Sequence, residues 1–207
     1  FEAAANETGA IVLDVRNQND FVQGHIPNSI FIGIDGGFAP WVGALIQDVK
    51  QEILLVCPEG RETEVITRLS RVGFDGTIGF LKGGFDAWKN AGKEVGTIES
   101  ISADQFVSDW QNNHNPIFDV RKGGEFNSSR LADSNFAPLD FLNDYLAEFP
   151  KDGKFYIHCA GGYRSVIADS ILKSRGIHNM IDIKGGYGAI KKLGLPMTEG
   201  VCPSTLR

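Results

Sequence analysis

The chain has 207 residues, 42% hydrophobic and 22% charged, an ordinary globular composition that suits one large domain or two small ones. Its 20 basic and 26 acidic residues leave a formal charge of −6, the wrong sign for a chain that works mainly on nucleic acid or an anionic membrane. No apolar run approaches the ~18–20 residues of a membrane span, and three scattered cysteines (Cys57, Cys159, Cys202) exclude a disulfide scaffold and a paired-cysteine zinc site, so a cytoplasmic, reducing setting is expected.

In chain order, Ile11-Val12-Leu13 reads as a buried strand that runs into Asp14-Val15-Arg16, with Asp20-Phe21 four positions on. The apolar run Ile53-Leu54-Leu55-Val56 is a second strand, closed by Cys57. Val65, Ile66, Leu69 and Val72 then fall on one helical face, and Gly73 ends it. A further strand, Thr77 to Leu81, leads into Lys82-Gly83-Gly84-Phe85-Asp86-Ala87. Val95 to Ser100 reads as a linker, and Ser102 with Gln105 forms a capping-box pattern that starts a helix.

From there the same order returns. Ile117-Phe118 precedes Asp119-Val120-Arg121 and Glu125-Phe126. Phe155-Tyr156-Ile157-His158 is closed by Cys159, and Val166, Ile167, Ile171 and Leu172 share a helical face ended by Gly176. Met180 to Ile183 is the last strand, followed by Lys184-Gly185-Gly186-Tyr187-Gly188-Ala189. The cysteines and the glycine pairs are both offset by 102 positions, and the Asp-Val-Arg triplets by 105. That period is too long for a solenoid and implies two copies of one domain, residues 1–98 and 99–207. Strands alternating with helices predict an α/β fold, each copy a central parallel sheet flanked by helices on both faces. Phe1 stands 13 residues before Asp14, as Phe106 does before Asp119, so it is expected inside a helix. The first copy thus lacks the strand and cap found at Ser100 to Gln105 and reads as N-terminally truncated, a fragment of a longer chain.

The chemistry is expected in Cys159-Ala160-Gly161-Gly162-Tyr163-Arg164-Ser165. A cysteine ends a buried strand there, and a helix begins within a few residues, the place where parallel sheets bind ligands. Two glycines let several backbone N–H groups converge on one point, and the positive helix end adds to their field. Such a cradle favours an anionic sulfur and an anionic partner, with Arg164 available to hold that partner or to orient the loop. No metal or organic cofactor is implied.

The loop resembles the active-site loop of the rhodanese (sulfurtransferase) family, Cys-x-x-Gly-x-Arg followed by Ser or Thr. Asp-Val-Arg after the first strand, Gly24-His25-Ile26-Pro27, and the Gly-Gly-aromatic-x-Ala motif near each domain end are similar to family landmarks, so the resemblance covers both copies. It implies that Cys159 takes a sulfane sulfur from a small anionic donor, thiosulfate or a low-molecular-weight persulfide, as a persulfide. It would then pass that sulfur to cyanide or a thiol, with the backbone of Ala160 to Ser165 cradling the substrate. Two other readings stand beside this one. Cys-dependent phosphatases and arsenate reductases of the same fold use five residues between Cys and Arg, whereas four separate Cys159 from Arg164. A non-catalytic interaction module describes the first copy better than the second.

The first copy departs from the pattern as Cys57-Pro58-Glu59-Gly60-Arg61-Glu62-Thr63-Glu64. Pro58 removes a backbone donor, Glu62 stands where the family has Arg, and the loop is one residue shorter. Residues 1–98 carry 8 basic against 13 acidic residues, and residues 99–207 carry 12 against 13, so an anionic donor meets less repulsion in the second copy. The first copy is therefore expected to be non-catalytic. Asp119 and Arg121 either support substrate or pair with each other at the strand end. Tyr163 walls the pocket or contributes only its N–H. His158 and His25 read as structural, and Cys202 as idle. Finally, Ile34-Asp35-Gly36-Gly37-Phe38-Ala39-Pro40-Trp41-Val42-Gly43 is similar to rhodanese domains fused behind a metallo-β-lactamase-fold persulfide dioxygenase. That resemblance implies such a domain as a partner.

Overall fold

The computed structural model describes residues 1–200, so Cys202 lies outside the described residues. Apart from Lys173–Arg175, which group with the first unit, the chain divides between Ile98 and Glu99 into two compact units, each an α/β structure on a parallel sheet. No helix of the described residues is long and apolar enough to cross a membrane.

The first unit runs α1 (Glu2–Glu7), β1 (Ile11–Asp14), α2 (Gln18–Gln23), β2 (Ile30–Phe31), α3 (Phe38–Leu45), β3 (Ile53–Val56), α4 (Glu62–Ser70), β4 (Thr77–Phe80), α5 (Gly84–Asn90). Its strands lie in the order β2-β1-β3-β4, all parallel, with Leu13 opposite Leu55 and Asp14 opposite Val56. All four residues of β3 are buried, as a strand covered on both faces requires. Val65 and Leu69 pack into the core with Leu13, Ile32, Phe38, Val42 and Leu55. The two other members of that expected helical face do not. Ile66 flanks the buried stripe and Val72 lies past the helix end, and both are 37% exposed. Phe1 stands at the N-cap of α1 rather than inside a helix. The expected linker is only partly free: His25 and Gly96 exchange backbone hydrogen bonds at 2.9 Å and Ile98 is buried.

The second unit runs β5 (Ser100–Ile101), α6 (Ala103–Asn113), β6 (Ile117–Asp119), α7 (Gly123–Ser128), β7 (Ser129–Leu131), β8 (Ser134–Phe136), a kinked 3₁₀ stretch (Leu139–Glu148), β9 (Phe155–His158), α8 (Tyr163–Ser174), β10 (Met180–Ile183), α9 (Gly186–Ile190), a short 3₁₀ turn (Lys191–Leu193) and β11 (Met197–Glu199). Five strands form a parallel sheet in the order β5-β10-β9-β6-β8, and β11 pairs antiparallel with β7 outside it. The capping box closes as the spacing predicts. Ser102 Oγ accepts from the Gln105 N–H at 3.2 Å, and Gln105 Oε1 accepts from the Ser102 N–H at 3.0 Å.

Two differences between the units matter below. β5 covers one edge of β10, whereas the matching edge of β4 has no strand partner among the described residues, and Ile78 and Phe80 on it are exposed. The helix after each cysteine also differs. α4 buries two residues, while α8 is buried at every position from Ser165 to Leu172, including Ser165, Asp169 and Ser170. The apolar stripe read from the sequence thus understates how far the interior reaches around α8.

Candidate active site

Cys159 leaves the carboxyl end of β9, 1% exposed, and Ala160-Gly161-Gly162 carries the chain into α8, whose first residues are Tyr163, Arg164 and Ser165. Gly162 sits at φ +103, a backbone conformation that side chains oppose, and this aims its N–H at Cys159 Sγ, 3.1 Å away. The loop is held from behind by the second glycine motif. The Tyr187 N–H donates to the Cys159 carbonyl at 2.7 Å, and the Gly188 N–H donates to the Ala160 carbonyl at 2.9 Å. Gly186 (φ +52) makes this approach possible. A Cβ there would press into the Cys159 carbonyl oxygen, with the carbonyl carbons of Cys159 and Ala160 at 2.9 and 3.0 Å.

Arg164 does not stand free over the sulfur. Its two terminal nitrogens bond both Glu125 oxygens, at 2.5 and 2.8 Å, closing α8 onto α7. The guanidinium holds the Glu125 carboxyl down at about 2, and Glu125 in turn raises Arg164 further. Asp119 and Arg121 pair with each other at 2.6–3.0 Å, both buried, and Arg121 also donates to the Ser129 carbonyl at 2.8 Å. The Arg121 guanidinium lies 3.9 Å from the Tyr187 ring centroid, and Tyr187 Oη meets Ser129 Oγ at 2.6 Å. This network props the motif that props the loop. His158 is fully buried, and burial holds its ring neutral; Nδ1 lies 3.2 Å from the Cys159 carbonyl, and Nε2 finds no hydrogen-bond partner. It is placed as part of the strand rather than as a base reaching the sulfur.

Sequence reasoning passed over Glu125 and Tyr187 as site residues. A signal existed for the first: Glu125 and Arg164 carry opposite charges where the first copy has Asp20 and Glu62.

The first unit keeps the scaffold and loses the cradle. Arg16 pairs with Asp14, donates to the Gly24 carbonyl at 2.8 Å and lies 4.2 Å from the Phe85 ring centroid, matching Arg121, Asp119, Ser129 and Tyr187. Around Cys57, however, no donor reaches the sulfur among the described residues. Burial, helped by Glu62 and Asp14, pushes its thiol up to about 12. Arg61 is turned outward to Asp35 and Glu64. A cavity of about 570 Å³ opens beside Cys57, lined by Arg16, Asp20, Glu59, Phe85, Asp86 and Lys89. It offers space but a protonated thiol and a surplus of carboxylates. Among the described residues no group of three His, Cys, Asp or Glu side chains is arranged to hold a metal ion.

Comparison with known proteins follows the repeat. The model of the rhodanese-like domain matches residues 1–91 and again 102–193. A protein from Allochromatium vinosum described as a sulfurtransferase is 28% identical over 103 residues, half of this chain and 94% of that protein. Among solved structures, a rhodanese-related protein from Thermoplasma volcanium is similar at 27% identity, covering 48% of this chain and 97% of its own (TM-score 0.43). A thiosulfate sulfurtransferase from Pseudomonas aeruginosa is similar at 21% identity over 93% of this chain and 41% of its own (TM-score 0.43). With both halves matched over nearly their whole length, the chain belongs to the rhodanese-like domain family, two such domains in tandem.

Proposed function

We propose that the second domain is a sulfurtransferase with Cys159 as its nucleophile, and that the first is a non-catalytic companion. The Cys159 thiolate attacks the sulfane sulfur of thiosulfate or of a low-molecular-weight persulfide. A Cys159 persulfide forms as the old sulfur bond breaks, and sulfite or a thiolate leaves with the bonding pair. Cyanide or an acceptor thiolate then attacks the outer sulfur and restores Cys159. The observation that carries this reading is the Gly162 N–H at 3.1 Å from Cys159 Sγ, on a loop pinned by Tyr187 and Gly188. A preset donor of this kind stabilises anionic sulfur without reorganisation. Cys57, with no donor and a thiol pushed up to about 12, is the built-in contrast.

Mass spectrometry after incubation with thiosulfate, and separately with glutathione persulfide, tests the proposal. Cys159 should gain one sulfur, Cys159→Ser should gain none there, and Cys57→Ser should behave as the parent. Loss of transfer in Cys57→Ser alone would overturn the assignment of roles. The Ile34–Gly43 resemblance supports a setting beside a persulfide-oxidising domain of metallo-β-lactamase fold. Sequencing the encoding reading frame tests that setting, and a frame without a histidine-rich metal motif removes it.

A further inference from the structure

Behind the cysteine loop lies a chain of hydroxyl and carboxyl groups that the proposed sulfur chemistry does not use. Asp182, in the middle of β10, is 2% exposed, and no cation pairs with it among the described residues. Its partners are two serines. Ser100 Oγ on β5 lies 2.8 Å from Oδ2, and Ser165 Oγ on α8 lies 2.6 Å from Oδ1. Ser165 Oγ is also 3.0 Å from the Gly162 carbonyl oxygen. A serine hydroxyl has one proton to donate, and a carbonyl has none. Both Ser165 contacts are full two-centre hydrogen bonds, rather than one proton shared between two acceptors, only if the proton in the 2.6 Å contact comes from Asp182. The remaining contact then runs from Ser165 to Gly162. Gly162 is the residue whose N–H meets Cys159 Sγ.

We propose that Asp182 is kept as a neutral carboxylic acid and acts as a positioning residue. It donates its proton to Ser165, which leaves the serine's own proton for the Gly162 carbonyl. The relay fixes one side of a glycine that has no side chain to restrain it and that sits at φ +103. Were Asp182 ionised, the carboxylate would claim the Ser165 proton. The Gly162 carbonyl would lose the Ser165 hydroxyl and keep the long 3.4 Å bond from the Val166 N–H, and a second negative charge would lie behind the thiolate. Burial favours the neutral form and raises the Asp182 carboxyl above its ordinary value, outweighing the smaller lowering effects of Ser165, Ser100 and the Lys184 charge. The nearest elements carry Tyr163, Arg164, Asp169 and Lys173 on α8, Tyr156, His158 and Cys159 on or just after β9, exposed Lys184 just after β10, and Glu99 before β5. Glu99 is itself paired with Lys154. The first domain has Phe80 at the matching strand position and no cradle, so the relay accompanies the cradle.

The inference builds on the assignment of Cys159, yet its test does not depend on sulfur transfer. Infrared difference spectra of the parent against Asp182→Asn at neutral pH should show the carbonyl band of a protonated carboxylic acid that only the parent has. Asp182→Asn keeps a donor for Ser165 and an acceptor for Ser100, so the rate and pH profile of Cys159 alkylation by iodoacetamide should stay within about twofold of the parent, near the limit of what a charge-neutral exchange alters. Ser165→Ala should slow alkylation at a fixed pH below the plateau, and adding Asp182→Asn should slow it no further. An ionised Asp182 gives the opposite pattern. The acid band is absent, and Asp182→Asn speeds alkylation several-fold because a negative charge behind the sulfur is removed. Either result refutes the neutral relay. A persulfide test that fails while the acid band is present refutes the sulfurtransferase reading and leaves the relay standing.

Discussion

Replacing Gly186 with alanine should damage the second domain far more than the matching Gly84→Ala change damages the first. Both glycines occupy the left-handed region, at φ +52 and +59, so any side chain there costs about 1–2 kcal/mol in either domain. Space separates them. At Gly84 the nearest atom to an added Cβ is the Cys57 carbonyl oxygen at 3.4 Å, an ordinary contact. At Gly186 the Cβ meets the backbone of Cys159 and Ala160 at 3.0 Å or less, and backbone cannot rotate out of the way. The loop must retreat, which breaks the Tyr187-to-Cys159 and Gly188-to-Ala160 hydrogen bonds, worth about 0.5–1.5 kcal/mol each. Together these losses are about 2–5 kcal/mol for Gly186→Ala against about 1–2 for Gly84→Ala. Because two domains need not unfold together, amide hydrogen exchange is the suitable assay, read over residues 155–172 in one variant and 53–70 in the other. Sulfur transfer through Cys159 should fall about a hundredfold in Gly186→Ala, the scale of a 1 Å misplacement at a reacting centre. Equal loss of protection in the two variants, or an unaltered Cys159 in Gly186→Ala, would refute the close-approach argument.

Three further outcomes are expected. Glu125 titrates at about 2 when paired with Arg164 and near its ordinary 4.5 when unfolded, so its contribution is complete above pH 4.5 and is lost as pH falls towards 2. Urea titrations followed by exchange in the second domain should show that acid loss in the parent and a flatter profile in Glu125→Gln. His25 is buried with its Nδ1–H bonded to the Phe21 carbonyl at 2.9 Å, and burial lowers it to about 4. Its neutral form therefore supports the first domain above pH 6.5, and up to about 3 kcal/mol is lost between 6.5 and 4. His25→Gln should flatten that profile, and an unchanged slope would remove His25 as its cause. Finally, peptide-resolved alkylation at pH 8 should leave Cys57 almost unmodified, since a thiol at about 12 holds only ~10⁻⁴ of its population as thiolate there. Labelling of Cys57 as fast as of Cys159 would contradict it.

Much of this architecture was legible in the sequence because its signals are local or repeated. Apolar runs closed by Cys57 and Cys159 are the central strands β3 and β9, Ser102 and Gln105 cap α6, and the doubled Asp-Val-Arg and Gly-Gly motifs mark two domains. The cysteine loop was legible too, since the glycines that curl it lie within three residues of the sulfur. Short elements such as β2, β7 and β8 were not, because two or three residues carry no period to read. Nor were the long-range pairings. Glu125 meets Arg164 across 39 positions, Asp182 meets Ser100 across 82, and Gly186 presses against Cys159 across 27. Each depends on strand order and on which helix face turns inward, and the burial of α8 on all sides shows how little its own apolar stripe reveals of that. The residue types that can hold an anionic sulfur are written along the chain. Which groups orient them, and which of two similar cysteines is left with a donor, follows only from side chains that tertiary packing brings together.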